Sequence, residues 1–419
     1  MDEASFSPPP QPWGQPAAAP PSLRPIDFVS EGSKFLKLLI RGAALQLVTF
    51  GFYRFWLATD IRRHLWSHSM IDGENAEYTG SGRELLIGFL FALAILVPIY
   101  LVYFLIGIEA ERMQAFASVP LGLFMALFAS FAAYRARRYR LTRTVWRGVR
   151  FWMQGSGWKF AFLAFGWMIL VTLSLGAAWP WRAAALERYK MRNTFYGDMQ
   201  ADFDARPFDF FKKGLAMWLF ALLSVALVIG GSALSAIASS GRGWGGLLIG
   251  LGVIGMIAIP FMYPFFRALE WRWWASGVNF GGTRIECNLR GGQLLGLFFK
   301  YLVIAWLVTG VAAMLIFAIG AAVAEISGIS IKTLDVKKLN DLMSGDTWIL
   351  VAGAAFGYLT IMLAAGVVQR FFLQHEYWRM ITSTITIIRP EAMENVAAKG
   401  DIANALGEGL ADGFDIAGF

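Results

Sequence analysis

The sequence predicts an α-helical polytopic membrane protein with a small β-sheet at the membrane surface. Three observations carry this. The 419 residues are 57% hydrophobic and only 16% charged, against about 45–50% and about 25% in soluble domains. Several uncharged apolar runs are long enough to cross a bilayer, such as the 23 residues from Leu85 to Gly107. Between the runs, basic and aromatic segments return with one layout. The expected architecture is about six spans in three hairpins plus two re-entrant or interfacial helices. Repeated cytoplasmic β-hairpins would form the sheet. The expected division is a disordered Pro/Ala-rich tail (1–25), a repeat-built membrane domain (26–390) and an Ala/Gly/acidic tail (391–419).

The structured chain opens with IDFVSEGS and an apolar segment, 35–57, whose uncharged centre, Gly42 to Tyr53, has 12 residues. At about 1.5 Å per residue this falls short of a hydrocarbon core about 30 Å thick. Runs follow at 85–107, 113–134, 160–181, 214–237, 244–266, 301–324 and 348–369. The run at 160–181 ends in Leu175-Gly176-Ala177-Ala178-Trp179-Pro180-Trp181, where Gly and Pro predict a break. Gly246, Gly250, Gly252 and Gly255 predict a close helix–helix contact. In the last tail, Val396, Ile402, Leu406, Leu410 and Phe414 suggest a short helix.

The repeated layout is a basic-aromatic helical turn, a small residue, a Gly four places on, then a strand-like piece. It reads Ser69…Gly73, Thr144…Gly148, Asn193…Gly197 and Gly277…Gly281. A fifth copy, at Thr382 to Thr386, lacks the Gly, and IDFVSEGS at the start of the chain matches the missing second piece. Strand, turn, strand beside a membrane means β-hairpins. Lipid cannot satisfy open edges, so the hairpins should pair with one another in water.

Charge sets the sidedness. If all eight runs crossed, the loops 135–159 and 182–213, with eight and seven Lys/Arg, would lie on opposite sides. The positive-inside rule wants both in the cytoplasm. That follows if 35–57 and 160–181 enter and return. Both termini are then cytoplasmic. The outside receives only 108–112, 238–243 and 325–347, with one, one and three Lys/Arg.

The stretch RARRYRLTRTVWRGVRFWMQGSG carries Arg135, Arg137, Arg138, Arg140, Arg143, Arg147 and Arg150 and no acid. These seven arginines are the candidate contact for anionic lipid headgroups, at about 1 kcal/mol each near the surface. Aromatics at bilayer height suit an interfacial belt, so nucleic acid is not an expected partner. Membrane lipids are, and a homo-oligomer is compatible with the sequence. His64 and His68 stand i, i+4, with His375 remote in sequence, and all three read as surface histidines rather than a metal site. Asp198, Asp202, Asp204 and Asp209 lack the closing Glu of a calcium loop and read as a solvated hairpin pairing with arginines. Cys287, the single cysteine, leaves no disulfide within the chain and reads as a buried strand residue. No phosphate-binding loop, HExxH or Gly-x-Ser-x-Gly is present. No enzymatic activity, catalytic residue, cofactor or metal is therefore expected. The leading functional reading is a non-enzymatic membrane-organising or lipid-contacting protein. The alternative is a passive channel or facilitator for a small or apolar solute.

Residues 137–157, RRYRLTRTVWRGVRFWMQGSG, resemble the Thr-x-Trp-Arg-Gly-x-Arg-Phe signature of the YjgN-like family of bacterial inner-membrane proteins. Val48 to Trp56 is similar to that family's Thr-Leu-Gly-x-Tyr-x-Pro-Trp motif, with Phe55 where Pro is usual, and 175–181 keeps the Pro-Trp. The likeness covers roughly 26–390. It implies the fold and an inner-membrane location, and no reaction or substrate.

Overall fold

A computed structural model describes residues 22–112, 118–237, 242–326, 348–403 and 405. The described chain is mostly helical and its strands form one antiparallel sheet. Five units repeat in order, each strand–helix–helix–strand. The first is β1 (Leu23–Phe28), α1 (Gly32–Val48), α2 (Arg54–Ser67) and β2 (Ser69–Ile71). The second is β3 (Glu74–Asn75) with β4 (Glu77–Tyr78), α3 (Gly82–Arg112), α4 (Ser118–Thr142) and β5 (Thr144–Trp146). The third is β6 (Val149–Met153), α5 (Gly157–Leu173), α6 (Trp179–Arg192) and β7 (Thr194–Tyr196). The fourth is β8 (Met199–Phe203), α7 (Pro207–Ile237), α8 (Arg242–Gly277) and β9 (Val278–Phe280). The fifth is β10 (Thr283–Cys287), α9 (Gly291–Ile326), α10 (Trp348–Arg370), a π-helical turn (Phe371–Glu376), α11 (Tyr377–Thr382) and β11 (Ile385–Ile388).

The hydrogen-bonded order is β3-β2-β1-β11-β10-β9-β8-β7-β6-β5-β4. Its two ends, β3 and β4, are successive arms of one strand on either side of Ala76, whose N–H donates to Ser69 O at 3.2 Å. The sheet thus closes on itself and leaves no free edge, which answers the hazard of unpaired strands. Within each unit the two strands pair: Phe28 faces Ser69, Met153 faces Thr194, Phe203 faces Val278 and Cys287 faces Ile385. Between units the chain turns tightly. Asp72-Gly73, Arg147-Gly148 and Gly281-Gly282 have positive φ at both positions, the type I′ signature that matches strand twist. The fifth hairpin has no turn. It is assembled from β11 and β1, the two ends of the sheet-forming chain, which explains the missing Gly. β1 reaches back to Leu23, beyond Ile26.

Each helical pair leaves the ring and returns to it. Two pairs are short. α1 has 17 residues and α2 has 14, as have α5 and α6, so these pairs reach only about 20–26 Å. Their turns are copies of one another. Phe50 and Gly51 have φ +51° and +88°, and Leu175 and Gly176 have +51° and +91°. In both a hydroxyl bridges the bend: Tyr53 N–H donates to Thr49 Oγ1 and Ala178 N–H to Ser174 Oγ, each at 3.0 Å. Phe55 in place of Pro does not alter the break. Among the described residues, five helices are long and apolar enough to cross a membrane: Gly82–Ile108, Pro207–Ile237, Gly243–Gly277, Gly291–Ala322 and Ala355–Thr382. The expected span at 113–134 falls in α4, whose approach, 113–117, lies outside the described residues. None of the most apolar stretch of α9 is buried in the protein, so lipid is the solvent that suits it.

The glycine contact between α7 and α8 uses two of the four glycines the sequence suggests, and adds Gly231 and Gly245. A Cβ on Gly252 would lie 2.7 Å from Ser224 O, and one on Gly255 2.3 Å from Ser224 Oγ, whereas Gly246 and Gly250 face open space. At the other end of the molecule, Ile71, Trp146, Tyr196 and Phe280, the last residues of the closing strands of the first four units, pack in one cluster with Met393. The chain beyond β11 caps this cluster. It forms a 3₁₀ turn at Pro390–Met393, and then 394–403 run without a helix. Asp198 N–H donates to Ala397 O and Ala397 N–H to Asp198 Oδ1, so backbone pairing replaces the expected amphipathic packing. Val396 joins the cluster, but Ile402 is exposed, and Leu406, Leu410 and Phe414 lie outside the described residues.

Candidate functional site

The ring places the chain's ends side by side, and this gathers residues that are far apart in sequence. β1 lies between β2 and β11. The helices before β2 and β11 therefore flank the turn that follows β1. Ser30 sits in that turn. Its Oγ is 2.8 Å from His64 Nε2 on α2 and 2.9 Å from His375 Nε2 on the π-helical turn. His375 Nδ1 lies 3.0 Å from Glu376 Oε1. His68 stacks on His64 with ring centroids 4.0 Å apart. All three histidines of the chain thus converge. Reading them as surface residues fails: His375 is fully buried, between Phe28, Phe35 and Phe371, and His64 and His68 are half-buried. No sequence spacing could show this, because sheet closure brings residue 64 to residue 375. Burial, aided by the charges of His68 and His375, lowers the His64 pKa to about 4, so its imidazole is neutral at pH 7.

The repeat supplies an internal control. The position of Ser30, two residues past the strand, is Gly155 in the third unit, Ala205 in the fourth and Leu289 in the fifth. The positions of His375 and His64 are Tyr134 and Tyr189, then Ala184 and Trp273, then Ala268 and Met380. The ring closes these crevices with tyrosines or apolar side chains. Nothing in the fold demands a hydroxyl and two imidazoles at the first unit.

His64 also borders a cavity of about 570 Å³ in the short pair α1/α2. Lys37, Arg41, Arg63, Asp60 and Tyr53 share its wall. Asp60 is taken up by Arg63 at 3.8 Å and the Tyr53 hydroxyl at 3.4 Å, while Lys37 and Arg41 make no ion pair among the described residues. Burial, then Asp60, raises the Tyr53 pKa. The cavity is net positive. A second cavity, about 330 Å³, lies behind the other short turn and is apolar, with Trp179, Phe211, Trp218 and Met262 among its walls. Both occur where a short pair leaves neighbouring helix faces uncovered.

None of the seven candidate arginines is exposed; all are half-buried. Arg143 pairs with Glu84 at 2.7 Å, and Arg147 with Asp72 at 2.7 Å and Glu74 at 3.4 Å. Arg150 donates to Thr142 O. Arg143 ties the second unit together internally, Arg147 joins the turns that enter and leave it, and Arg150 joins the third unit to it. Arg135 packs over Gly157, and burial, then Arg138, lowers its pKa. Arg140 is half-buried on the last turn of α4. Arg137 and Arg138 each hold a buried Nε with no hydrogen-bond partner among the described residues. Arg137 acts electrostatically on the ion pair Glu187–Lys190 of α6. Asp202 pairs with Arg192 at 3.3 Å on the surface, and Cys287 is buried in β10. Among the described residues no group of three or more His, Cys, Asp or Glu has the geometry to hold a metal ion.

The model of a bacterial protein family of unknown function, DUF898, matches residues 24–413. The chain belongs to this family. DUF898 is the YjgN-like family, so the signature at 137–157 pointed to the right relatives. No curated protein and no solved structure matches the chain. For this DUF898 protein, function must therefore be argued from the geometry above.

Proposed function

We propose that this DUF898 protein is a multi-pass protein of the bacterial inner membrane that holds anionic lipid beneath a cytoplasmic ring of hairpins. In this reading six helices cross, α1/α2 and α5/α6 enter and return, and both termini face the cytoplasm. The role is membrane-organising or lipid-handling. One observation carries it. A pair of helices too short to span opens a cavity lined by Lys37, Arg41 and Arg63, a cluster of positive charge that suits an anionic headgroup. The apolar cavity behind the second short turn suits an acyl chain. Within the arginine stretch, Arg137 and Arg138 remain the candidate contacts, each with a buried Nε that has no hydrogen-bond partner among the described residues, whereas Arg143, Arg147 and Arg150 are engaged within the fold. The channel reading is less well supported, because Trp146, Tyr196 and Met393 fill the middle of the ring.

Native mass spectrometry of gently extracted protein tests this. Retained anionic lipid should be lost in Lys37→Gln/Arg41→Gln, and weakened in Arg137→Gln/Arg138→Gln. No retained lipid, together with solute flux in proteoliposomes, would favour the channel instead.

A further inference from the structure

Ring closure alone does not require the hydrogen-bonded chain Ser30–His375–Glu376. Its protons are assigned by the hydrogen-bond inventory. A carboxylate only accepts, so His375 Nδ1 carries the proton that bonds Glu376 Oε1 at 3.0 Å. His375 Nε2 is then a bare acceptor, and the Ser30 hydroxyl, 2.9 Å away, donates to it. That uses the only hydroxyl proton. His64 Nε2–H must therefore donate to Ser30 Oγ across 2.8 Å, in keeping with a neutral His64. A hydroxyl donating to an imidazole that a carboxylate orients is the arrangement that activates a nucleophile.

The backbone around Ser30 fits the same chemistry. Ser30 stands between a strand and a helix N-terminus. The amides of Lys34 and Phe35 both bond Glu31 O, and Glu31 gives no side-chain cap. The amides of Gly32 and Ser33 have no partner among the described residues, so they are donors beside the hydroxyl. A Cβ on Gly32 would sit 3.9 Å from His375 Cε1, so the helix start lies against the base.

We propose that Ser30 is the nucleophile of an acyl-ester hydrolase, with His375 as general base, Glu376 as its positioning residue, and an anionic acyl ester as substrate. The substrate class rests on the reading of the Lys37/Arg41/Arg63 cavity as an anion site. Ser30 Oγ adds to the ester carbonyl and its proton passes to His375 Nε2. The amides of Gly32 and Ser33 hold the oxyanion. The carbon–oxygen ester bond breaks, and the alcohol leaves with the proton from Nε2. Water then adds to the acyl-Ser30, His375 takes its proton and returns it to Oγ, and the carboxylic acid departs.

The test uses the full chain in nanodiscs with a fluorophosphonate reporter, mapped by peptide mass spectrometry. The expected adduct is on Ser30 and absent from Ser30→Ala. Removing the base in His375→Ala should slow labelling by at least about 100-fold. His375 is buried and that variant can misfold, so Glu376→Gln, at a half-exposed site, is the second arm. It should slow labelling at least tenfold and change its pH profile. No adduct on wild-type Ser30, or labelling unchanged by Ser30→Ala, overturns the proposal and leaves Ser30 as a clasp of the ring. Hydrolysis is then compared on phosphatidylglycerol vesicles, phosphatidylcholine vesicles and a soluble short-chain acyl ester of glycerol phosphate. A preference for either anionic ester that is lost in Lys37→Gln/Arg41→Gln supports the substrate class, and the two sources separate by which is cleaved. Equal cleavage of anionic and neutral esters overturns the substrate class while the nucleophile stands. Retained lipid without a Ser30 adduct does the reverse: the lipid-holding role survives and the hydrolase fails.

Discussion

Acidification should loosen the ring at its closing unit, through His64. Its imidazole is held neutral down to about pH 4, whereas an unfolded histidine titrates at about 6.5. The folded value is the lower one, so the unfolded chain binds more protons between those limits. Stability is complete above pH 6.5 and declines as pH falls towards 4. At about 1.36 kcal/mol per pH unit the window is worth about 3 kcal/mol at full weight. His64 is half-buried, so water screens part of this and about 1–2 kcal/mol remains. Most neighbours agree in sign: His68 and His375 lie against the His64 imidazole and Lys37, Arg41 and Arg63 share its cavity, while Asp60 and, beyond His375, Glu376 oppose them. With three histidines in the chain, selective isotope labelling resolves each imidazole by NMR. His64 should titrate well below 6, and Ser30→Ala should raise its value by admitting water. An ordinary titration near 6.5 in the folded protein would refute both the burial and the proton assignment built on it.

Other outcomes follow from packing and charge. Gly252→Ala should lower the unfolding midpoint, since its Cβ meets a backbone oxygen at 2.7 Å and α7 or α8 must shift, at a cost of about 1–3 kcal/mol; Gly246→Ala, which faces open space, is the matched control and should change little. Arg147→Gln should destabilise by about 1–2 kcal/mol, measured by thermal unfolding, because Asp72 and Glu74 lose a half-buried partner. The effect should shrink when Asp72 is also removed. Truncation after residue 389 should expose Trp146 and Tyr196, raising binding of an apolar dye and quenching of tryptophan fluorescence by a soluble quencher.

Much of the fold could be read from local chemistry. The Asp72-Gly73 and Arg147-Gly148 turns announce hairpins because type I′ geometry needs φ > 0, and the break at Gly176 is legible for the same reason. The partial fifth copy at 382–386 and its missing half at the start of the chain were both visible, yet their meaning as a ring clasp depends on closure. Periodicity cannot say which strand pairs with which. The same limit hid the site. His64 and His375 are unremarkable in their own helices, and only β1, inserted between β2 and β11, brings them to one serine. The partners of the arginine stretch were hidden by the same limit: Glu84, Asp72 and Glu74, from elsewhere in the chain, take two of its seven arginines into ion pairs.

The central claim is that every hairpin belongs to one ring on one side of the membrane, so α1/α2 and α5/α6 do not carry the chain across. The single native cysteine, Cys287, is buried, so Cys287→Ala gives a silent background. Cysteines placed at Asn75 and Gln200, both exposed on the ring, can then be treated in oriented vesicles with a membrane-impermeant maleimide. The account predicts that both react from the cytoplasmic side and neither from the outside. Opposite accessibility of the two positions would contradict it.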